Sequence, residues 1–323
     1  MSLSTLYSRN WISVITTLAI VLWIASHGFH KSTEITEPGT TKLPRNAFAT
    51  ILTSNPGKGP ESPDVEEHYL QAARLLSFQL LRNPRTRNRN GIPFLVLVTP
   101  DVPQRDRDIL SREGARVIPL QDHEAGWASR PPSLNKMLAR LNLWKLEQYQ
   151  KVAFLDVETV VLRPLDGIFE DFTTTMRTTI DPASKLPKKY IMAARTDSLM
   201  DPNSQVQSNQ DQIWPQKRHM NTGFFILHPS KDLFEYYMSL VPMLDTDDSN
   251  HFEDDILDYA HREDGPMPRQ VLGSEWNLND ASQSDYEKGL KSITRQWWRP
   301  VENSFVESLI AMSLDEMTAY LNH

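Results

Sequence analysis

An apolar strand that runs straight into two carboxylates constrains this chain more than any other feature: residues 152–166 read VAFLDVETVVLRPLD. Lys151–Asp156 carries the strongest strand pattern in the sequence, and a second apolar run follows Glu158 at once. Two acids in one tight turn repel each other unless something cationic sits between them. A hard divalent cation bound through carboxylate oxygens relieves that repulsion and can also hold a diphosphate. Acids at strand ends also arise for purely structural reasons, so the turn alone leaves both readings open.

Around this strand the pattern alternates in an α/β manner from Ala47 onward. Strands are expected at Ala47–Thr53, Pro93–Thr99, Ala115–Leu120, Lys151–Asp156, Tyr190–Ala194 and Gly223–His228. Helices are expected at Glu66–Arg82, Gln104–Arg112, Leu134–Gln148, Lys231–Leu240 and Asp254–His261. Residues 198–219 are polar and patternless and read as a surface loop or lid. Strands separated by helices imply a Rossmann-like mixed or mostly parallel sheet flanked by helices, with ligands beyond the carboxyl ends of its strands.

The N-terminus reads as an address. Residues 11–25, WISVITTLAIVLWIA, extend weakly to Phe29 and meet no charge until Lys31. A bilayer core requires roughly 20 helical residues, so 11–29 is expected as a transmembrane signal anchor, with 1–10 a cytoplasmic tail and 30–45 a stem. Trp11 and Trp23 suit interfacial depths, and Arg9 lies on the side that stays cytoplasmic. A cleaved signal peptide, releasing a secreted protein, is the rival reading. The globular domain is 46–323.

Composition removes whole classes of function. With 34 Lys+Arg against 41 Asp+Glu the net charge is −7, a poor match to nucleic acid. The absence of cysteine excludes disulfides, thiol nucleophiles, Cys-ligated zinc and iron–sulfur clusters. No HExxH, G-x-S-x-G, P-loop or dinucleotide fingerprint occurs. The basic loop NPRTRNRN (83–90) reads as a solvated surface, and Trp276-Asn277 as structural.

Five segments taken in order resemble a known family. They are AFATILT, then Tyr69-x-x-Ala72-Ala73-Arg74-x-Leu76, then Ala139-Arg140-Leu141-x-x-Trp144-x-Leu146-x-x-Tyr149. Phe154-Leu155-Asp156-Val157-Glu158-Thr159 and Asn221-Thr222-Gly223-Phe224-Phe225 complete the series. The series resembles glycosyltransferase family 8, the glycogenin-like nucleotide-sugar transferases, over roughly residues 46–300. It is most similar to a membrane-anchored fungal branch that includes proposed N-acetylglucosaminyltransferases.

The resemblance implies a GT-A-type fold and transfer of a sugar from a UDP-sugar, UDP-GlcNAc or UDP-glucose, to a hydroxyl of a glycan or protein. It further implies Mn2+ (or Mg2+), retention of anomeric configuration, a Golgi membrane location and room for a homodimer. By position, Asp156 and Glu158 fall on the family's Asp-x-Asp metal motif. Thr50, Leu52 and Ser54 fall on the uridine-lining strand, with Tyr69 against the base and Arg74 near the phosphates. Arg140 stands where the family usually has Lys; Asn221, Thr222 and Gly223 fall on the donor-sugar segment, and Asp197 is a looser sugar contact. No catalytic residue is assigned.

The chain also departs from the pattern. Glu158 replaces the second Asp, moving its oxygens by about an ångström. Glu253-Asp254 stands for an Asp/Glu-Gln pair, and Asp258 for an Asn. In the late His-x-Lys-x-Trp motif, Thr294 takes the place of the metal-binding His and Gln296 that of the Lys. These losses motivate an alternative: a degenerate relative that binds a nucleotide sugar or a partner without transfer.

Overall fold

The computed structural model describes residues 45–53, 63–121, 132–180, 186–196, 220–243, 252–299 and 303–322, with the side chains of 63–66, 132–134, 243 and 252–255 outside that description. The expected tail, anchor and stem up to residue 44, together with Ser54, Asp197 and the 198–219 loop, also lie outside it. No helix among the described residues is long and apolar enough to cross a membrane.

The strands are β1 (Asn46–Leu52), β2 (Phe94–Val98), β3 (Arg116–Pro119), β4 (Lys151–Leu155), β5 (Thr159–Val161), β6 (Arg177–Thr178), β7 (Lys189–Tyr190), β8 (Met192–Thr196), β9 (Met220–Leu227), β10 (Gln270–Val271) and β11 (Ser292–Thr294). The helices are α1 (Pro63–Leu81), α2 (Gln104–Arg112), α3 (Pro132–Leu141), α4 (Lys231–Leu240), α5 (Phe252–Ala260), α6 (Gln283–Glu287) and α7 (Ser304–Leu321). Seven strands form one sheet in the order β10-β8-β9-β4-β1-β2-β3. Within it β1 pairs parallel to β2 and β4, β2 to β3, and β8 to β10, while β9 runs antiparallel to both β4 and β8.

The central strands are buried on both faces, as parallel strands between helix layers must be. Along β1, Ala47, Ala49 and Ile51 join the core shared with α3 and Trp144, while Phe48 and Leu52 join the core under α1. This is the two-residue alternation of side chains on a strand. A second, two-stranded ribbon pairs β5 with β11 antiparallel. It packs with α1 and α7 around Leu75, Phe78, Leu162, Ile293 and Ile310.

Three expectations are corrected. The helix expected to run to Gln148 ends at Leu141 and continues as a tighter 3-10 turn, Asn142–Lys145. Strand β9, described from Met220, already includes Asn221–Gly223, and its Met220 N–H donates to Asp258 Oδ1 at 2.8 Å. Asp258, itself 3.5 Å from Arg269 Nη1, thus ties β9 at Met220 to α5. Helix α7 was not expected, although its signals are present. Asn303 caps it by accepting from Phe305 and Val306 N–H, and Val306, Leu309, Ile310, Ser313 and Met317 form its buried stripe.

Candidate functional site

The reversed strand β9 builds the site. Its pairing with β4 puts Leu155 opposite Phe224, so the first residues of β9 lie beside the turn that leaves β4. The Asp156 N–H donates to Gly223 O at 2.8 Å, and the Thr159 N–H closes the acidic turn onto Asp156 O at 2.9 Å. Asn221–Gly223 and the Asp156–Glu158 turn, 65 residues apart for Asn221 and Asp156 by numbering (221 − 156), thus share one sheet end.

Arg140, in the last turn of α3 and only 4% exposed, places Nη2 3.7 Å from Asp156 Oδ2. Its guanidinium also lies over the Phe154 ring, 5.1 Å from the centroid. Glu158 is held differently: its Oε1 accepts from Gln296 Nε2 at 2.9 Å and from the Tyr69 hydroxyl at 3.3 Å. Burial, and next the negative charge of Asp156, push the Glu158 carboxyl up to about 7. Burial together with both carboxylates raises the Tyr69 phenol far above its ordinary value, so it stays a donor.

Thr294 closes the site from the ribbon. Its hydroxyl lies 2.9 Å from the Thr159 hydroxyl and donates to Asn277 Oδ1 at 3.1 Å. Asn221 is fixed by its Oδ1, which accepts from the Gly223 N–H, and by its Nδ2, which donates to Asn279. A methyl group on Gly223 would meet Thr294 Cγ2 at 3.1 Å and Asn221 Oδ1 at 3.2 Å, so only glycine fits without displacement.

Among the expected residues, the structure brings together Tyr69, Arg140, Asp156, Glu158, Asn221, Gly223 and Thr294 around one sheet end, with Thr222 between Asn221 and Gly223. Arg74, expected near the phosphates, is ion-paired with Glu113 at 2.6 Å on the α2 side. Leu52 packs into the core under α1. Thr50 is fully buried, and its hydroxyl, like that of Thr53, has no hydrogen-bond partner among the described residues. Tyr69, expected against a base, is edge-on to Trp298, whose ring also neighbours those of His68 and Trp297. Sequence reasoning missed the supporting roles of Thr159, Asn277, Asn279 and Gln296. Only Thr159, beside the acidic turn, carried a local signal.

Two carboxylates, one destabilised by burial and by the other, suit a hard divalent cation. Among the described residues no group of three or more His, Asp or Glu gathers there. Asp156 and Glu158 would supply two carboxylates to such a cation, and its remaining ligands would have to come from outside the described protein groups.

Comparison with known proteins supplies the family. Residues 97–258, half of the chain, match the Rhodobacterales glycosyltransferase domain. The chain belongs to this glycosyltransferase family. The match takes in Arg140, the acidic turn and Asn221–Gly223, and leaves Tyr69, Thr294 and Gln296 outside it.

Among curated relatives, the glycosyltransferase is 26% identical to galactinol synthase 1 of Solanum lycopersicum over 44% of this chain and 42% of that one. It is 34% identical to human glycogenin-2 over 38% of this chain and 22% of that one. The aligned part is less than half the length of these relatives, and they place the chain with the glycogenin-like family 8 enzymes. They do not bear on the fungal branch. By fold it is similar to the galactosyltransferase LgtC solved with donor and acceptor sugar analogues, with TM-score 0.50, 13% identity, and 85% and 94% of the two chains covered. The glycosyltransferase GlyE of Streptococcus pneumoniae gives TM-score 0.50, 13% identity, and 86% and 63% coverage. These likenesses establish the GT-A architecture.

Proposed function

We propose that this glycosyltransferase moves a sugar from a UDP-sugar to a hydroxyl of a glycan or protein, with a divalent cation, Mn2+ or Mg2+, and retention of configuration. The observation that carries the reading is the convergence of Asp156, Glu158, Arg140 and Asn221–Gly223 at one sheet end.

In such a transfer the bond from the sugar carbon to the β-phosphate oxygen breaks, and negative charge grows on the departing diphosphate. A divalent cation held by Asp156 and Glu158 would supply positive charge for that diphosphate. The protein's own groups do the rest. Arg140, buried and fixed over Phe154, holds a permanent cation beside Asp156 without reorganisation. Gln296 and Tyr69 orient Glu158 so that one carboxylate oxygen is committed and the other is left for a ligand. Asn221, locked by Gly223 and Asn279, presents a rigid amide beside the acidic turn. The anchor at 11–29 would hold this domain on the luminal side of a Golgi membrane.

A second reading, binding without transfer, is favoured by Thr294 and Gln296. Thr294 spends its hydroxyl on Thr159 and Asn277, and Gln296 gives its amide to Glu158, so neither adds a cation for a leaving group. Release of UDP from UDP-GlcNAc and UDP-glucose by the purified full-length protein decides between them. Metal-dependent turnover that Asp156→Ala lowers at least about a hundredfold supports transfer; Mn2+-dependent UDP binding with no turnover supports the second reading.

A further inference from the structure

A second cleft lies at the far end of the β5/β11 ribbon from the acidic turn. Thr294 and Thr159 pair at the site end, whereas the Arg163 N–H bonds to Lys291 O at 3.2 Å at the other. The cleft has a volume of about 650 Å3, is open to solvent, and is walled by the 85–90 loop, residues 162–167, Tyr286 and Lys291. That volume falls among small-molecule sites, roughly 300–1,000 Å3.

Its chemistry is one-sided. Arg89, Arg163 and Lys291 line it, and none makes an ion pair with a carboxylate among the described residues. Arg85, the fourth cation, is already paired with Glu316 at 2.8 Å. Arg163 is preorganised: its Nη2 donates to Tyr286 O at 3.0 Å and its guanidinium lies 5.0 Å from the Tyr286 ring centroid. Its Nε has no acceptor among the described residues. A planar guanidinium held this way suits the paired oxygens of a phosphate or carboxylate. Lys291 is likewise positioned, with Nζ 5.0 Å from the Trp276 ring centroid.

The one carboxylate lining the cleft among the described residues has a separate task. Asp166 Oδ1 accepts the Arg89 and Asn90 N–H groups at 2.7 and 3.1 Å, which ties the arginine-bearing loop to the cleft wall. Its Oδ2 has no hydrogen-bond partner among the described residues. An acceptor oxygen beside three unpaired cations matches a ligand that carries both an anionic group and hydroxyls. Both unpartnered atoms are buried within residues that line the cleft, so each offers a hydrogen bond that a ligand seated there would satisfy only if the side chain moves.

We propose that this cleft binds an anionic saccharide, with its phosphate or carboxylate on Arg89, Arg163 and Lys291 and a hydroxyl on Asp166. Two sources share that chemistry, a free sugar phosphate and an acidic residue of a glycan chain. The proposal does not rest on the donor-site reading.

The test is calorimetric titration of the full-length protein in detergent with glucose 6-phosphate, an oligogalacturonate, inorganic phosphate and glucose. Arg89→Gln and Lys291→Gln are compared with the wild type. Neither residue touches the acidic turn, and unchanged thermal melting shows that each variant is folded. The expected result is saturable binding of glucose 6-phosphate or oligogalacturonate that weakens with salt and falls about tenfold or more in each variant. Whichever of the two saturates identifies the source. The proposal is overturned if neither binds, if both variants bind like the wild type, or if inorganic phosphate or glucose binds as tightly as the anionic sugars.

Discussion

Glu158 shows how surroundings decide what a side chain can do. Burial and the Asp156 charge hold its carboxyl up to about 7, so the folded chain favours the neutral acid. The resulting stabilisation is fully present below the ordinary carboxylate range near 4.3 and is lost as pH rises through about 7. Glu158→Gln keeps an oxygen to accept from Gln296 and Tyr69 but cannot ionise. Without added metal, this variant should match the wild type at pH 4.5 and exceed it by about 1–3 kcal/mol at pH 8, read from thermal melts at both pH values. Equal melting of the two proteins at pH 8 would contradict the assignment. At this scale Asp156 was legible because it ends an apolar strand, and Asn221–Gly223 because they match the segment that the family resemblance carries. The pairing of Arg74 with Glu113 was not: five positions from Tyr69 turn a helix by about 140°, and only the fold shows what each face meets. Gln296 stands where the family resemblance expects Lys, and only the fold shows it as a donor to Glu158.

Between elements, the contact of β9 with β11 governs how tightly the site closes. A methyl group on Gly223 would press on Thr294 Cγ2 at 3.1 Å. Gly223→Ala is therefore expected to cost about 1–3 kcal/mol in denaturant unfolding. The double variant Gly223→Ala/Thr294→Ser, which removes that Cγ2, should regain part of it; a double variant no more stable than the single one would show that the crowding lies elsewhere. At the other edge, Asn303→Ala should destabilise α7 by about 1 kcal/mol through loss of its N-cap, measured in the same way. The main strands were legible from their apolar runs. Strands β5 and β11 were not read as a pair, because three-residue strands carry no periodicity of their own and their register is set by long-range pairing. Helix α7 was legible, with an Asn cap and a helical apolar stripe, and went unread.

For the whole molecule, the alternation of strands and helices was enough to expect the mixed sheet. The antiparallel insertion of β9, which creates the site, comes from pairing that no local pattern encodes. The anchor proposed at 11–29 makes a separate demand: the full-length protein should sediment with membranes after alkaline carbonate washing and keep residues 1–28. A soluble protein beginning near Gly28 would instead support cleavage. The claim that joins all scales is that the acidic turn at the end of β4 is a metal-dependent nucleotide site. Calorimetric titration of UDP into the full-length protein, with and without Mn2+, tests it directly. The expected result is saturable binding that requires Mn2+, falls about tenfold or more in Asp156→Ala, and is unchanged in Arg74→Ala. UDP binding that ignores Mn2+ and survives Asp156→Ala, or no UDP binding at all, would contradict it.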